Sequence, residues 1–156
     1  MKTKETTTPI STTVENANTM AENFNQLTED LVSDLEFNNN AWKDYLILIW
    51  DEYNCSDSDF DKEDRLKVTV VFKAVYYFLD KIERSPENKY YQHVNNLLKS
   101  ISPSVLNKGL EDMFMEYMVT TDDDCNTRRF FNVIHRDITN YLQNISLLMH
   151  TTQFTA

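Results

Sequence analysis

One glycine and three prolines occur in 156 residues. Average usage would supply roughly 11 glycines and roughly 8 prolines. A Walker phosphate loop needs two glycines and a dinucleotide fingerprint needs three, so both are excluded. Tight β-hairpins draw on glycine in their primed turns, so a meander of hairpins is excluded too. Basic residues are scarce: 15 Lys and Arg stand against 25 Asp and Glu, a net charge of −10. Such a surface repels phosphate backbones, so no nucleic acid is expected as partner. No run of about 18 apolar residues occurs, so no membrane insertion is expected. The amino terminus is polar and carries no signal sequence, so a secreted form would be the mature chain. The only cysteines are Cys55 and Cys125, and no cysteine pair has zinc-ligand spacing.

What is present is material for a helical core: 41% of the residues are hydrophobic and 12% aromatic. That suffices for one all-α domain. The spacing predicts a loose arm over 1–11, a helical domain over 12–149 and a loose tail over 150–156. Apolar residues recur three and four apart in six segments. The first spans about 12–36, with Thr12 and Glu15 as a capping box and Val14, Ala17, Phe24, Leu31 and Leu35 on its stripe. The run Asn38 to Asn40 ends it or caps the next. The second, about 40–53, is apolar nearly all round. The third, about 62–84, follows an acidic loop capped by Asp61; its β-branched run over 68–71 could be a strand, but length and spacing favour helix. Ser85, Pro86 and Glu87 predict the start of a fourth helix over about 86–101. Ser102 and Pro103 disturb it. The fifth is expected over about 108–118 and the sixth over about 126–149. The lone Gly109 then falls between helices, where a left-handed turn with positive φ is expected.

No constellation of residues points to catalysis. Asp57, Asp59 and Asp61 alternate like the start of an EF-hand. Lys62 and Val68 occupy the positions that need glycine and a bidentate glutamate, so the motif fails. His93, His135 and His150 show no metal spacing, and no metal or cofactor is expected. His135, beside Arg136 and Asp137, reads as a surface pair. Met113, Met115 and Met118 cover two faces of one helix, as core, subunit packing or an adaptable groove. Asn54-Cys55-Ser56 and Asn144-Ile145-Ser146 are glycosylation sequons, with Asn54 the better acceptor because its segment reads as loop. With helices alternating up and down, Cys55 and Cys125 are expected at opposite ends, which disfavours an intrachain bond.

The order of these segments resembles the interferon gamma family. Val14, Ala17, Phe24 and Asn25 follow its first-helix pattern, and Ile49-Trp50 closes an aliphatic helix as in the family. VVFKAVYYFLDKI is similar to its central buried helix, YYQHVNNLLKSI to its fourth, and MVTTDDDCNTRR to the link before its last. Departures are a longer loop after Trp50, Thr127 to Phe131 in place of the Gln-Arg-Lys-Ala run, and HTTQFTA where the family has a basic tail. The divergent fish branch is the most similar. The resemblance implies a secreted, extracellular, homodimeric helical cytokine, intertwined about a two-fold axis with its fifth and sixth helices packed into the partner. Extra cover for the very apolar second and third helices points the same way. It further implies binding of class II cytokine receptor chains at the cell surface and antiviral immune signalling. By position the receptor-facing residues would be Asn18, Glu22, Asn25, Gln26, Glu29 and Asp30, with Arg128, His135 and Arg136 on the last helix. The competing reading is an intracellular viral adaptor of the Bcl-2-like helical class. That class carries an Asn-Trp-Gly-Arg segment, and here the only glycine follows Lys108.

Overall fold

The computed structural model describes residues 8–35, 40–86 and 89–155; for 8–18 and 151–155 only the course of the backbone is described. Its elements are all helical: α1 (Thr8–Leu35), α2 (Ala41–Cys55), α3 (Lys62–Glu83), α4 (Tyr90–Ser100), α5 (Pro103–Thr120) and α6 (Cys125–Thr155). The residues over 68–71 lie within α3 and form no strand. The ends of the helices differ from expectation. α1 starts at Thr8, so 8–11 belong to the helix and Thr12 and Glu15 sit inside it. Pro9 suits such a start, because an amide is lost where none would bond. α6 continues through the expected tail to Thr155. Residues 1–7 and 156 lie outside the described residues, as do Asn38, Asn39 and Glu87.

Local chemistry sets the other boundaries. Asn40 takes the left-handed conformation, φ 57°, and its carbonyl accepts the amides of Lys43 and Asp44 at 3.0 and 3.3 Å. Asparagine tolerates that region better than most residues. Asp61 caps α3 through the Asp64 amide at 2.8 Å, and Asp124 accepts the Thr127 amide at 2.7 Å at the start of α6. The exposed carbonyls ending α2 are met by Arg65, which donates to those of Tyr53, Asn54, Ser56 and Ser58 at 3.0–3.4 Å. A cation at that end also suits the helix dipole. After Ser85 and Pro86 the Lys89 amide donates to the Pro86 carbonyl at 2.9 Å in a helical turn, and α4 itself begins at Tyr90 with no side-chain cap. Its Tyr91 amide instead donates to Asn25 Oδ1 on α1 at 2.8 Å.

Ser102 and Pro103 begin a helix rather than disturb one. Ser102 accepts the Val105 amide at 3.3 Å and Pro103 takes the first position of α5. Gly109 therefore lies inside α5, and no described glycine has positive φ. It is there for space. A Cβ on Gly109 would stand 2.6–2.8 Å from the Cβ and both methyls of Val71 on α3. Alanine would return roughly 1 kcal/mol of helix propensity. Overpacking against a β-branched neighbour costs about 1–3 kcal/mol and outweighs it.

Contacts fix the directions of the helices. Trp50 reaches Thr69, and Lys43 reaches Asp80, so α2 and α3 are antiparallel. Val71 lies on Gly109, and Asp64 shares a cavity wall with Glu116, so α3 and α5 are antiparallel. Strict alternation would make that pair parallel. α2 and α5 thus run together, with Tyr45 beside Phe114 and Thr120 donating to Glu52 at 2.9 Å. The α2–α3 and α5–α6 connections consequently share one end of the molecule, not opposite ends, and Ser56 and Ser58 both donate to Glu116 across it. Cys55 and Cys125 are exposed free thiols. α5 and α6 pack on α1, α2 and α3 of their own chain. The cover expected from a second subunit is supplied within one chain, and Trp42, Tyr45, Leu46 and Ile49 of α2 are fully buried.

Candidate functional site

Three places on this bundle could do work: the outward half of α1 with its seam to α6, a buried polar chain at His135, and a groove between α3 and α5. The first holds most of the expected receptor residues. Glu22, Gln26 and Asp30 are exposed and Glu29 is half-buried. Gln26 donates to Asp30 at 3.0 Å. Asn25 turns the other way, to the start of α4, and so holds the fold. The side chain of Asn18 lies outside the described residues. Gln26 borders one seam cavity of about 560 Å³, with Leu27, Asn144 and Leu148. Asp30 borders a second of about 280 Å³, with Asp34, Asp137 and Asn144. Burial and the Asp34 carboxylate push the Asp137 carboxyl upward.

The expected α6 residues do not form one surface. Arg136 is exposed, and Arg128 is half-buried at the far end of α6, its Nε without a hydrogen-bond partner. His135 is a correction: it is buried, 5% exposed, and cannot meet a receptor. Its ring stacks on Phe114, centroids 4.1 Å apart and 12° between planes. Tyr45 Oη lies 2.5 Å from Nδ1, and Nε2 lies 2.8 Å from Glu111 Oε1. The neutral tautomer with hydrogen on Nε2 satisfies both bonds: the tyrosine hydroxyl donates to Nδ1 and Nε2–H donates to the carboxylate. Desolvation lowers the pKa of His135, opposed by the Glu111 bond and charge. Burial, then Glu111, holds the Tyr45 hydroxyl well above its usual range. A Tyr–His–Glu chain has the parts of a proton relay, but Tyr45 is 0% exposed, so no substrate reaches its hydroxyl. The chain joins α2, α6 and α5 as a polar tie within the core.

The groove was not among the expected sites. It encloses about 650 Å³ between α3 and α5, with Val68, Val71 and Gly109 in its floor and Val105, Met115 and Val119 on its rim. The methionines divide accordingly: Met113 is buried, Met115 is 58% exposed and Met118 is 38% exposed. The signal for the groove was in the sequence. Val105, Lys108, Asp112, Met115 and Val119 are spaced three and four apart, on the face of α5 opposite its core stripe.

The sequons exchange ranks. Asn54 lies in the last turn of α2, not a loop, and its Nδ2, the atom a glycan would take, donates to the Trp50 carbonyl at 3.0 Å. Asn144 is exposed on α6. No group of metal-ligating side chains occurs among the described residues. No described helix is long and apolar enough to cross a membrane. Comparison with protein-family models, with curated proteins and with solved structures finds no match for this chain.

Proposed function

We propose that this chain is a secreted helical ligand, similar in its action to the interferon gamma family, that works by holding class II cytokine receptor chains together at the cell surface. No bond is made or broken in this reading; the function is the placement of surfaces. The observation that carries it is the outward half of α1. Glu22, Gln26, Glu29 and Asp30 fall on successive turns and stand outside the core, and Gln26 and Asp30 border the seam to α6. Two copies would offer two such faces. The exchanged arrangement implied by the resemblance remains open to such a pair, because a swapped dimer makes between chains the contacts α5 and α6 make here within one. Secretion leaves Asn144 as the better-placed glycan acceptor.

The test is expression in secreting eukaryotic cells, followed by binding to purified class II receptor ectodomains. Asp30→Arg is expected to weaken binding about tenfold or more, with the helical circular dichroism unchanged. Failure to bind every such ectodomain would overturn the reading. The groove between α3 and α5 favours a second reading, an intracellular adaptor that takes a partner's apolar helix. A monomer without glycan, retained inside the cell, would support that second reading.

A further inference from the structure

The α3–α5 groove is an apolar opening of about 650 Å³ that the receptor reading leaves unused. Its outer wall is the α5 face bearing Val105, Met115 and Val119, which are 49%, 58% and 77% exposed. Three apolar side chains on one helical face beside an open groove call for cover. The charges on that face say what covers it. Lys108 lies toward the start of α5 and Glu116 toward its end, with Asp112 midway. Such a face is complementary to itself when turned end for end.

We propose that a second copy of this chain docks in the groove, α5 against α5, antiparallel about a two-fold axis at Asp112. That register sets Val105 opposite Val119 of the second copy and Lys108 opposite its Glu116. It also sets Met115 opposite Gly109 of the second copy. Asp112 meets its own counterpart on the axis, where each is already paired with its Lys108 at 3.2 Å. Glu116 is held in place by Ser56 and Ser58, so its carboxylate is fixed before docking. An overall charge of −10 opposes pairing of two copies at long range, which makes the nearly balanced charge of this face the more specific. The proposal deepens the pairing in the functional reading and names its surface. It leaves the α1 face free, so receptor binding and pairing can fail separately.

The test is sedimentation equilibrium with charge reversals. Wild-type protein is expected to dimerise. Lys108→Glu alone and Glu116→Lys alone are each expected to weaken the dimer about tenfold or more, since each sets like charges opposite one another. An equimolar mixture of the two variants is expected to restore dimers as heterodimers, because both facing pairs are then opposite in sign. Circular dichroism checks that each variant is folded. Wild-type protein that stays monomeric to roughly 1 mM would overturn the proposal. So would a mixture that pairs no better than its components; in that case a dimer formed by exchange of α5 and α6 remains, since these two positions do not face each other in it.

Discussion

α6 is one helix in two environments. Over its first half, Phe131, Ile134 and His135 press into a nest of rings from Tyr45, Phe114 and Tyr117, with centroids 4.1–6.3 Å apart. Three helices meet there, and the polar tie through His135 closes it. Over its second half Tyr141 meets Thr28 of α1 and stacks on Phe78 of α3, centroids 6.1 Å apart, with Leu142 and Ile145 buried below it on one stripe. Open cavities lined by amides and carboxylates flank that stripe. A buried polar link crosses it: the Thr28 hydroxyl donates to the Phe24 carbonyl at 2.8 Å and lies 2.9 Å from the Tyr141 hydroxyl. The same 3–4 spacing runs through both halves. What differs is what flanks the stripe, packed rings and a polar chain on one half and open polar cavities on the other, and the second half is expected to open first.

The largest effect should come from the inner half. Phe131→Ala is expected to cost about 3–5 kcal/mol in urea unfolding. Tyr45→Phe leaves His135 Nδ1 buried without its donor and should cost about 1–3 kcal/mol. The inner half should also carry the pH dependence. His135 is held below its usual 6.5 in the fold, so the unfolded chain binds the proton more readily. Stability is then full above about 6.5 and falls as pH drops through that value toward the lower folded pKa. His135→Gln should flatten most of this slope in a series of unfolding midpoints. A remainder should persist from His93, which burial and then Lys81 shift in the same direction. At the outer half, Thr28→Val leaves the buried Tyr141 hydroxyl without this partner and should cost about 1–3 kcal/mol. Leu147→Asn, at a residue 63% exposed, should fall within about 0.5 kcal/mol of wild type. Amide hydrogen exchange gives the direct comparison: amides over 140–150 should exchange faster than those over 129–139, and equal protection would erase the distinction.

Much of this was legible. The stripes of the second, third and sixth helices appear where three-four spacing places them, and Asp61 caps α3 as its position suggests. At two places a sequence neighbour obscures the period. Arg136 and Asp137 suggest a surface place for His135, yet Phe131, His135, Ile138, Leu142 and Ile145 are themselves four and three apart, which is a core spacing. Ser102-Pro103 is a helix start, and the pull of Gly109 toward a turn obscured it. The left-handed position belongs to Asn40 instead, and glycine serves close approach. Other features could not be read from the sequence. Tyr45, Glu111 and His135 come from three helices, and only their packing brings them within hydrogen-bond reach. The shared end of the two cysteine-bearing connections follows from the relative direction of α3 and α5, which periodicity does not encode.

The Thr28–Tyr141 link joins residues 113 positions apart. On the ribosome, at about 5–20 residues per second, α1 would wait roughly 6–23 seconds for that partner to be made. Until then its apolar stripe has α4, through Asn25 and the tilted pair Phe24–Tyr91 at 5.6 Å. The first helix to emerge is thus among the last to be covered, and a chaperone that recognises nascent apolar helices has its longest opportunity there.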